Sequence, residues 1–174
     1  ANYYLNSINH RAAGAYTDSP GLRSVIKEVK DFIEARDNVK SDMENIYLVN
    51  GASEGITVMI RLLLQNEHDG IMIPTPQYPI YSALVTRFGG RQVPYYLDED
   101  KGWGLTVEEL ESAYKRGKDH GTTIRGIVLI NPGNPTGQVL SQDDLKRVAE
   151  FAHDKGIFVL SDEVYQENIY VNKP

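Results

Sequence analysis

From residue 45 onward, short β-branched or aliphatic runs alternate with longer stretches of helical period, and this alternation restricts the fold more than any other feature. The runs 46–49, 70–73, 92–96, 124–130 and 157–160 have the length and composition of strands. Between them lie 54–64, with Ile56, Met59, Ile60, Leu63 and Leu64 on one face, then 78–88, 107–115 and 142–153. Thr106 with Glu109, and Ser141 with Asp144, have the spacing of a capping box and mark two of these helix starts. Strand–helix alternation at this spacing predicts an α/β fold with a mostly parallel sheet sandwiched by helices.

Upstream, residues 1–18 are polar, aromatic-rich and without period. Ser19-Pro20-Gly21 offers a cap followed by proline at the first helical position, so a helix is expected to begin there. Its apolar stripe would be Leu22, Val25, Ile26, Val29, Phe32 and Ile33, with Lys27, Glu28, Lys30 and Asp31 on the other face. The expected organisation is an N-terminal segment and packing helix over 1–40, then an α/β domain over 41–174.

Several function classes fall away on composition. Eighteen Lys and Arg against 24 Asp and Glu leave a net charge of −6, and no basic run exceeds two residues, so nucleic acid is not an expected partner. The apolar runs are far shorter than the ~20 residues of a membrane helix, so no membrane is expected either. Without cysteine there is no thiolate nucleophile or Cys-based zinc site, and His10, His68, His120 and His153 stand singly, as surface residues would. No G-x-x-x-x-G-K-[ST] precedes Asp162-Glu163 and no G-x-G-x-x-G follows a strand, so neither a triphosphate cradle nor a dinucleotide fingerprint is present.

In a parallel sheet, ligands gather at the carboxyl ends of the strands, so the loops there carry the chemistry. Residues 50–55 place small side chains where a helix begins, with the amides of Ala52, Ser53 and Glu54 at its positive end and the Ser53 hydroxyl beside them. Such a turn suits a phosphate; a plainly capped helix is the alternative. Residues 131–137 hold two Asn-Pro pairs and two glycines, a rigid loop that would fix Asn134 and that suits a cis Asn134–Pro135 bond, the alternative being a tight turn with capping asparagines. Asp162 follows an apolar run, and its carboxylate at a strand end needs a cationic partner. A bound cation, a protonated ring nitrogen or a distant arginine could serve. Tyr78 opens a helix at the same edge and Tyr165 lies three residues past Asp162, though among eleven tyrosines either could be a packing residue.

Taken together, these loops resemble those of the pyridoxal-phosphate aminotransferases of the aspartate aminotransferase fold. Gly51-Ala52-Ser53, the 73–81 segment with Gln77-Tyr78-Pro79-Ile80-Tyr81, the 131–139 string and Asp162-Glu163-Val164-Tyr165-Gln166 are similar to the alanine-type members in particular. The resemblance implies part of the large cofactor domain of a fold-type I aminotransferase, with pyridoxal 5'-phosphate as cofactor, amino acids and 2-oxo acids as substrates, and a homodimer. It implies that Ala52 and Ser53 bind the phosphate, Tyr78 stacks on the pyridine ring and Asp162 pairs with the protonated ring nitrogen. Asn134 and Tyr165 would bond the phenolic oxygen, and Tyr16 would reach the phosphate of the neighbouring subunit. The implied reaction exchanges an amino group between L-alanine and 2-oxoglutarate. Alternatives are a tyrosine-type aminotransferase, an aminocyclopropane-carboxylate synthase or a non-catalytic cofactor-binding module.

In that family the Schiff-base lysine and two ligand-binding arginines lie downstream of the Asp162 motif, so none of this chain's nine lysines is expected to be catalytic; each reads as a solvated surface amine, with Lys173 left open. The chain is therefore expected to be a piece of a longer protein, inactive and prone to self-association alone. A cytoplasmic location is expected, with a mitochondrial one as the alternative.

Overall fold

The computed structural model describes residues 16–170. The chain divides into two compact units, Ala1–Gly51 and Ala52–Pro174.

In the first unit, helix α1 runs over Arg23–Asp37, later than Ser19-Pro20-Gly21 suggests. The Gly21 amide closes a turn on the Asp18 carbonyl at 2.8 Å, and Gly21 has φ +114°, a left-handed value outside any right-handed helix. Leu22 becomes the N-cap, with no side-chain bond. Of the expected apolar stripe only Ile26 is buried, while Lys27 and Lys30 pair with Asp31 and Glu34 one turn on. Residues 46–49 form no strand. Ile46 is buried and Tyr47 exposed, but the Leu48 amide bonds the Pro20 carbonyl and the segment pairs with no strand among the described residues. A run of strand-forming residues is a local preference, whereas a ladder needs a partner.

The second unit contains α2 (Ala52–Leu63), β1 (Asp69–Thr75), α3 (Ile80–Arg87), β2 (Arg91–Tyr96), α4 (Val107–Asp119), β3 (Thr123–Ile130), α5 (Gln142–Lys155) and β4 (Phe158–Asp162). All strand pairs are parallel, in the order β2-β1-β3-β4. The expected fold class is therefore observed. The expected capping boxes differ: Ser141 and Asp144 bond reciprocally, whereas Thr106 accepts the Glu109 amide while the Glu109 carboxylate turns to the Tyr96 amide and Arg116.

Alternation along the strands splits the core in two. Ile71, Ile73, Val128 and Ile130 face Ile60, Tyr81, Leu84 and Val85 of α2 and α3. Met72, Val93, Tyr95, Ile127 and Leu129 face Leu110 and Ala113 of α4 and Val148 and Phe151 of α5. The helix after β1 thus lies on one face and the helix after β3 on the other. Where such neighbouring strands send their connections apart, a crevice opens beyond their carboxyl ends.

The opposite end of the sheet is tied by Asp69, whose side chain is fully buried. It accepts the Gln65 amide at 2.8 Å, the Asn66 amide at 3.2 Å and Arg125 Nε at 2.7 Å, joining the exit of α2, the start of β1 and the middle of β3. Burial pushes its carboxyl up, but these three donors outweigh that and hold it below the ordinary carboxylate value. Since the unfolded carboxyl titrates near ~3.9, the stabilisation is complete above that pH and is lost as pH falls through the lower folded value. Asp69→Asn in the full-length protein is expected to cost about 1.5–3 kcal/mol in urea unfolding at pH 7, with the deficit shrinking below about pH 4.

Candidate functional site

Four chain segments meet beyond the carboxyl ends of β1, β3 and β4: the first turn of α2, the residues after Thr75, the loop after Ile130, and the turn after Asp162. They enclose a cleft of ≈ 260 Å³ lined by Ala52, Ser53, Ile56, Tyr78, Ile130, Asn134, Asp162, Val164 and Tyr165. The sequence-derived residues Ala52, Ser53, Tyr78, Asn134, Asp162 and Tyr165 are thus brought together. Tyr16 belongs to the other unit, with its side chain fully exposed.

Each position has a local cause. Ala52 and Ser53 open α2, where the first N–H groups lack intrahelical partners and the helix dipole is positive, and the Ser53 hydroxyl points no bond at any described group. Tyr78 precedes α3, which starts at Ile80 behind an N-cap at Pro79, so its ring sits before the helix rather than in it, 45% exposed. The loop after β3 is closed on itself: the Gly133 amide bonds the Gln138 carbonyl and the Gly137 amide bonds the Gly133 carbonyl, both at 2.9 Å. The Asn131 side chain accepts the amide of buried Leu140 at 3.0 Å. Thr75–Pro76, Asn131–Pro132 and Asn134–Pro135 are cis. This frame holds Asn134, whose side-chain amide donates to the Tyr165 hydroxyl across a long 3.4 Å, leaving both groups capacity for a shared further partner.

Asp162 closes β4 and is half-buried. Its main-chain carbonyl accepts the Asn131 amide at 3.0 Å, locking the β3 loop to the β4 end. Its carboxylate accepts the Val164 amide at 3.1 Å on Oδ1 and the Tyr81 hydroxyl on Oδ2. No arginine or lysine pairs with it among the described residues, so the distant-arginine alternative is not realised there. Burial, and then the bond to Asp162, push the Tyr81 hydroxyl far up, which keeps it a donor.

Tyr81 is the residue that sequence reasoning missed. It falls on the apolar stripe of α3 with Leu84 and Val85, and its ring is indeed core, 1% exposed. The available signal was the hydroxyl itself, since a tyrosine inside an apolar stripe needs a partner and this one lies one turn from the functional edge of the sheet. The lysine reading also needs correction: Lys30 and Lys155 are largely covered and ion-paired, with Glu34 and Glu111, rather than solvated. No described lysine lines the cleft.

A second groove, lined by Met59 of α2, Val159 of β4 and Tyr81, adjoins the cleft at Asp162. Beside it Met59, Leu62, Phe158 and Val159 are exposed, and β4 pairs only with β3 among the described residues. Among the described residues no metal-holding cluster occurs and no helix is long and apolar enough to cross a membrane.

The sequence model of the class I and II aminotransferases matches residues 7–173. The chain belongs to that family. Among its relatives are a mitochondrial alanine aminotransferase of Arabidopsis thaliana, 47% identical over 96% of this chain and 31% of its own length, and a glutamate–glyoxylate aminotransferase of the same plant, 46% identical over 98% and 35%. An alanine aminotransferase of Pyrococcus furiosus superposes with a TM-score of 0.82 at 26% identity, covering 99% of this chain and 42% of that one. The chain thus spans about a third of the length of the curated relatives it matches. Members of the class I and II family use pyridoxal phosphate. The cleft fits that group on its own chemistry: a helix start and hydroxyl for a phosphate, a half-exposed aromatic ring for a flat heterocycle, and a half-buried carboxylate unpaired with any described cation.

Because the Asn131 side chain closes the β3 loop that lines the cleft, Asn131→Ala is expected to leave the Leu140 amide without its acceptor. The expected loss in urea unfolding of the full-length protein is about 1–3 kcal/mol, largely recovered by Asn131→Asp, which restores the oxygen.

Proposed function

We propose that the protein containing this chain transfers the amino group of L-alanine to 2-oxoglutarate, giving pyruvate and L-glutamate, with pyridoxal 5'-phosphate held in the cleft between α2, β3 and β4. The observation that carries this reading is the Asp162 carboxylate at the end of β4, opposite a helix start and beside an exposed tyrosine, with no described cation to neutralise it. Ala52 and Ser53 hold the phosphate through main-chain amides and the serine hydroxyl. Tyr78 covers the ring, Asn134 and Tyr165 donate to its phenolic oxygen, and Asp162 keeps the ring nitrogen protonated. When bound, the cofactor supplies an electron sink for the charge left as the substrate's α-proton departs. The covalent anchor and proton shuttle are assigned to no described residue of this chain. Tyr16 is assigned to the phosphate of a neighbouring subunit in a homodimer, and 41–174 to the cofactor domain.

The alanine assignment is supported by 47% identity to the Arabidopsis alanine aminotransferase over 96% of this chain. A second reading, with glyoxylate as acceptor, is favoured by the 46% identity to the glutamate–glyoxylate enzyme. A cytoplasmic location is proposed, with the mitochondrion as the alternative on the names of the Arabidopsis and Dictyostelium discoideum relatives.

Steady-state assays of the full-length protein across amino donors and 2-oxo acid acceptors test the proposal. The highest kcat/KM is expected for alanine with 2-oxoglutarate, and Asp162→Asn is expected to lower it about 10²–10³-fold. Faster turnover with glyoxylate would favour the second reading. Cofactor binding without amine transfer from any donor would overturn both and leave a binding module.

A further inference from the structure

We propose that Tyr81 is a positioning residue for the cofactor's ring nitrogen, acting through Asp162: its hydroxyl fixes the rotation of the Asp162 carboxylate so that a free lone pair faces the cleft. The proposal rests on the pyridoxal phosphate reading above and deepens it.

Packing does not explain the Tyr81 hydroxyl. The ring sits in the core among Ile60, Leu84, Val85, Val128 and Ile130, where phenylalanine would fill the same space. A buried hydroxyl needs a partner, and the second unit's two most buried tyrosines find different ones. Tyr95 donates to the Val128 main-chain carbonyl at 2.7 Å, a bond that only completes the core. Tyr81 instead donates to Asp162 Oδ2, a charged side chain on the edge of the cleft.

A carboxylate at the end of a strand can rotate about its side-chain bonds. Here both oxygens are held: Oδ1 by the Val164 amide, which belongs to the turn itself, and Oδ2 by a phenol whose ring is immobilised by the core. A carboxylate offers about four acceptor sites, so these two bonds leave capacity on each oxygen for a cationic N–H. Because the hydroxyl is kept protonated by its surroundings, it donates at all working pH values. Tyr81 also lines the groove adjoining the cleft at Asp162, so it stands behind the carboxylate and outside the cleft itself.

The test uses the full-length protein freed of cofactor, as wild type, Tyr81→Phe and Asp162→Asn. Tyr81→Phe keeps the ring and removes one oxygen, so the core packing is retained. Equilibrium dialysis gives Kd for pyridoxal phosphate and for its 1-carba analogue, in which C–H replaces the ring nitrogen. The expected result is a Kd for pyridoxal phosphate raised about ten-fold in Tyr81→Phe, the scale of one hydrogen bond to a charged group, with Kd for the carba analogue unchanged. Asp162→Asn should show the same selectivity with a larger shift. If Tyr81→Phe moves both ligands equally, or neither, while Asp162→Asn still distinguishes them, Tyr81 is only a packing residue and the proposal is overturned alone. If Asp162→Asn does not distinguish the ligands either, the ring-nitrogen role of Asp162 fails and takes the Tyr81 proposal with it.

Discussion

The parallel pairing of β1 with β3 is the contact on which the rest of the second unit depends. Ile71, Met72, Ile127 and Val128 are completely buried at its centre, so both faces of the pair demand cover. The chain meets that demand by sending α3 to one face and α4 and α5 to the other. Divergence of the two connections leaves the carboxyl ends of β1 and β3 without a helix across them, and the loops that follow β1 and β3 are free to line a crevice. The crevice is therefore placed by the same constraint that builds the core.

At that crevice the chain maintains a charge that a core would not tolerate. Asp162 is joined to the β3 loop through its carbonyl, to its own turn through Val164 and to the core through Tyr81, so its position is set from three directions. Asp69, at the other end of the sheet, offers a useful contrast. Its carboxylate is tied to two amides and also meets Arg125, so its burial is balanced within the fold. Asp162 has the amide and the hydroxyl and no described cation, which leaves it available to a cationic ligand. The difference between the two aspartates separates a structural carboxylate from one poised for binding.

Most of this arrangement was legible in the sequence because it rests on local signals. The runs that became the central strands β1 and β3 are largely apolar and buried, as central parallel strands must be, and the small residues, asparagines and aspartate of the loops stand where strand ends can be inferred. What failed depended on partners that no local pattern shows. Residues 46–49 have the β-branched and aliphatic composition of a strand, yet the Leu48 amide goes to Pro20 and no ladder forms among the described residues. Ser19-Pro20 has the residues of a helix start, yet the left-handed Gly21 turns the chain first. Tyr81 reads as core because its ring is core; only the fold reveals that its hydroxyl meets a carboxylate 81 positions away in sequence.

On the proposed reading, Asp162 faces the ring nitrogen of a cofactor whose phosphate lies at the start of α2. A crystal structure of the full-length protein grown with pyridoxal phosphate tests it most directly. The expected result places the phosphate within hydrogen-bond reach of the Ala52 and Ser53 amides, and an Asp162 carboxylate oxygen about 2.7–3.0 Å from the ring nitrogen. A cofactor bound elsewhere, or bound with its ring nitrogen turned away from Asp162, would contradict it.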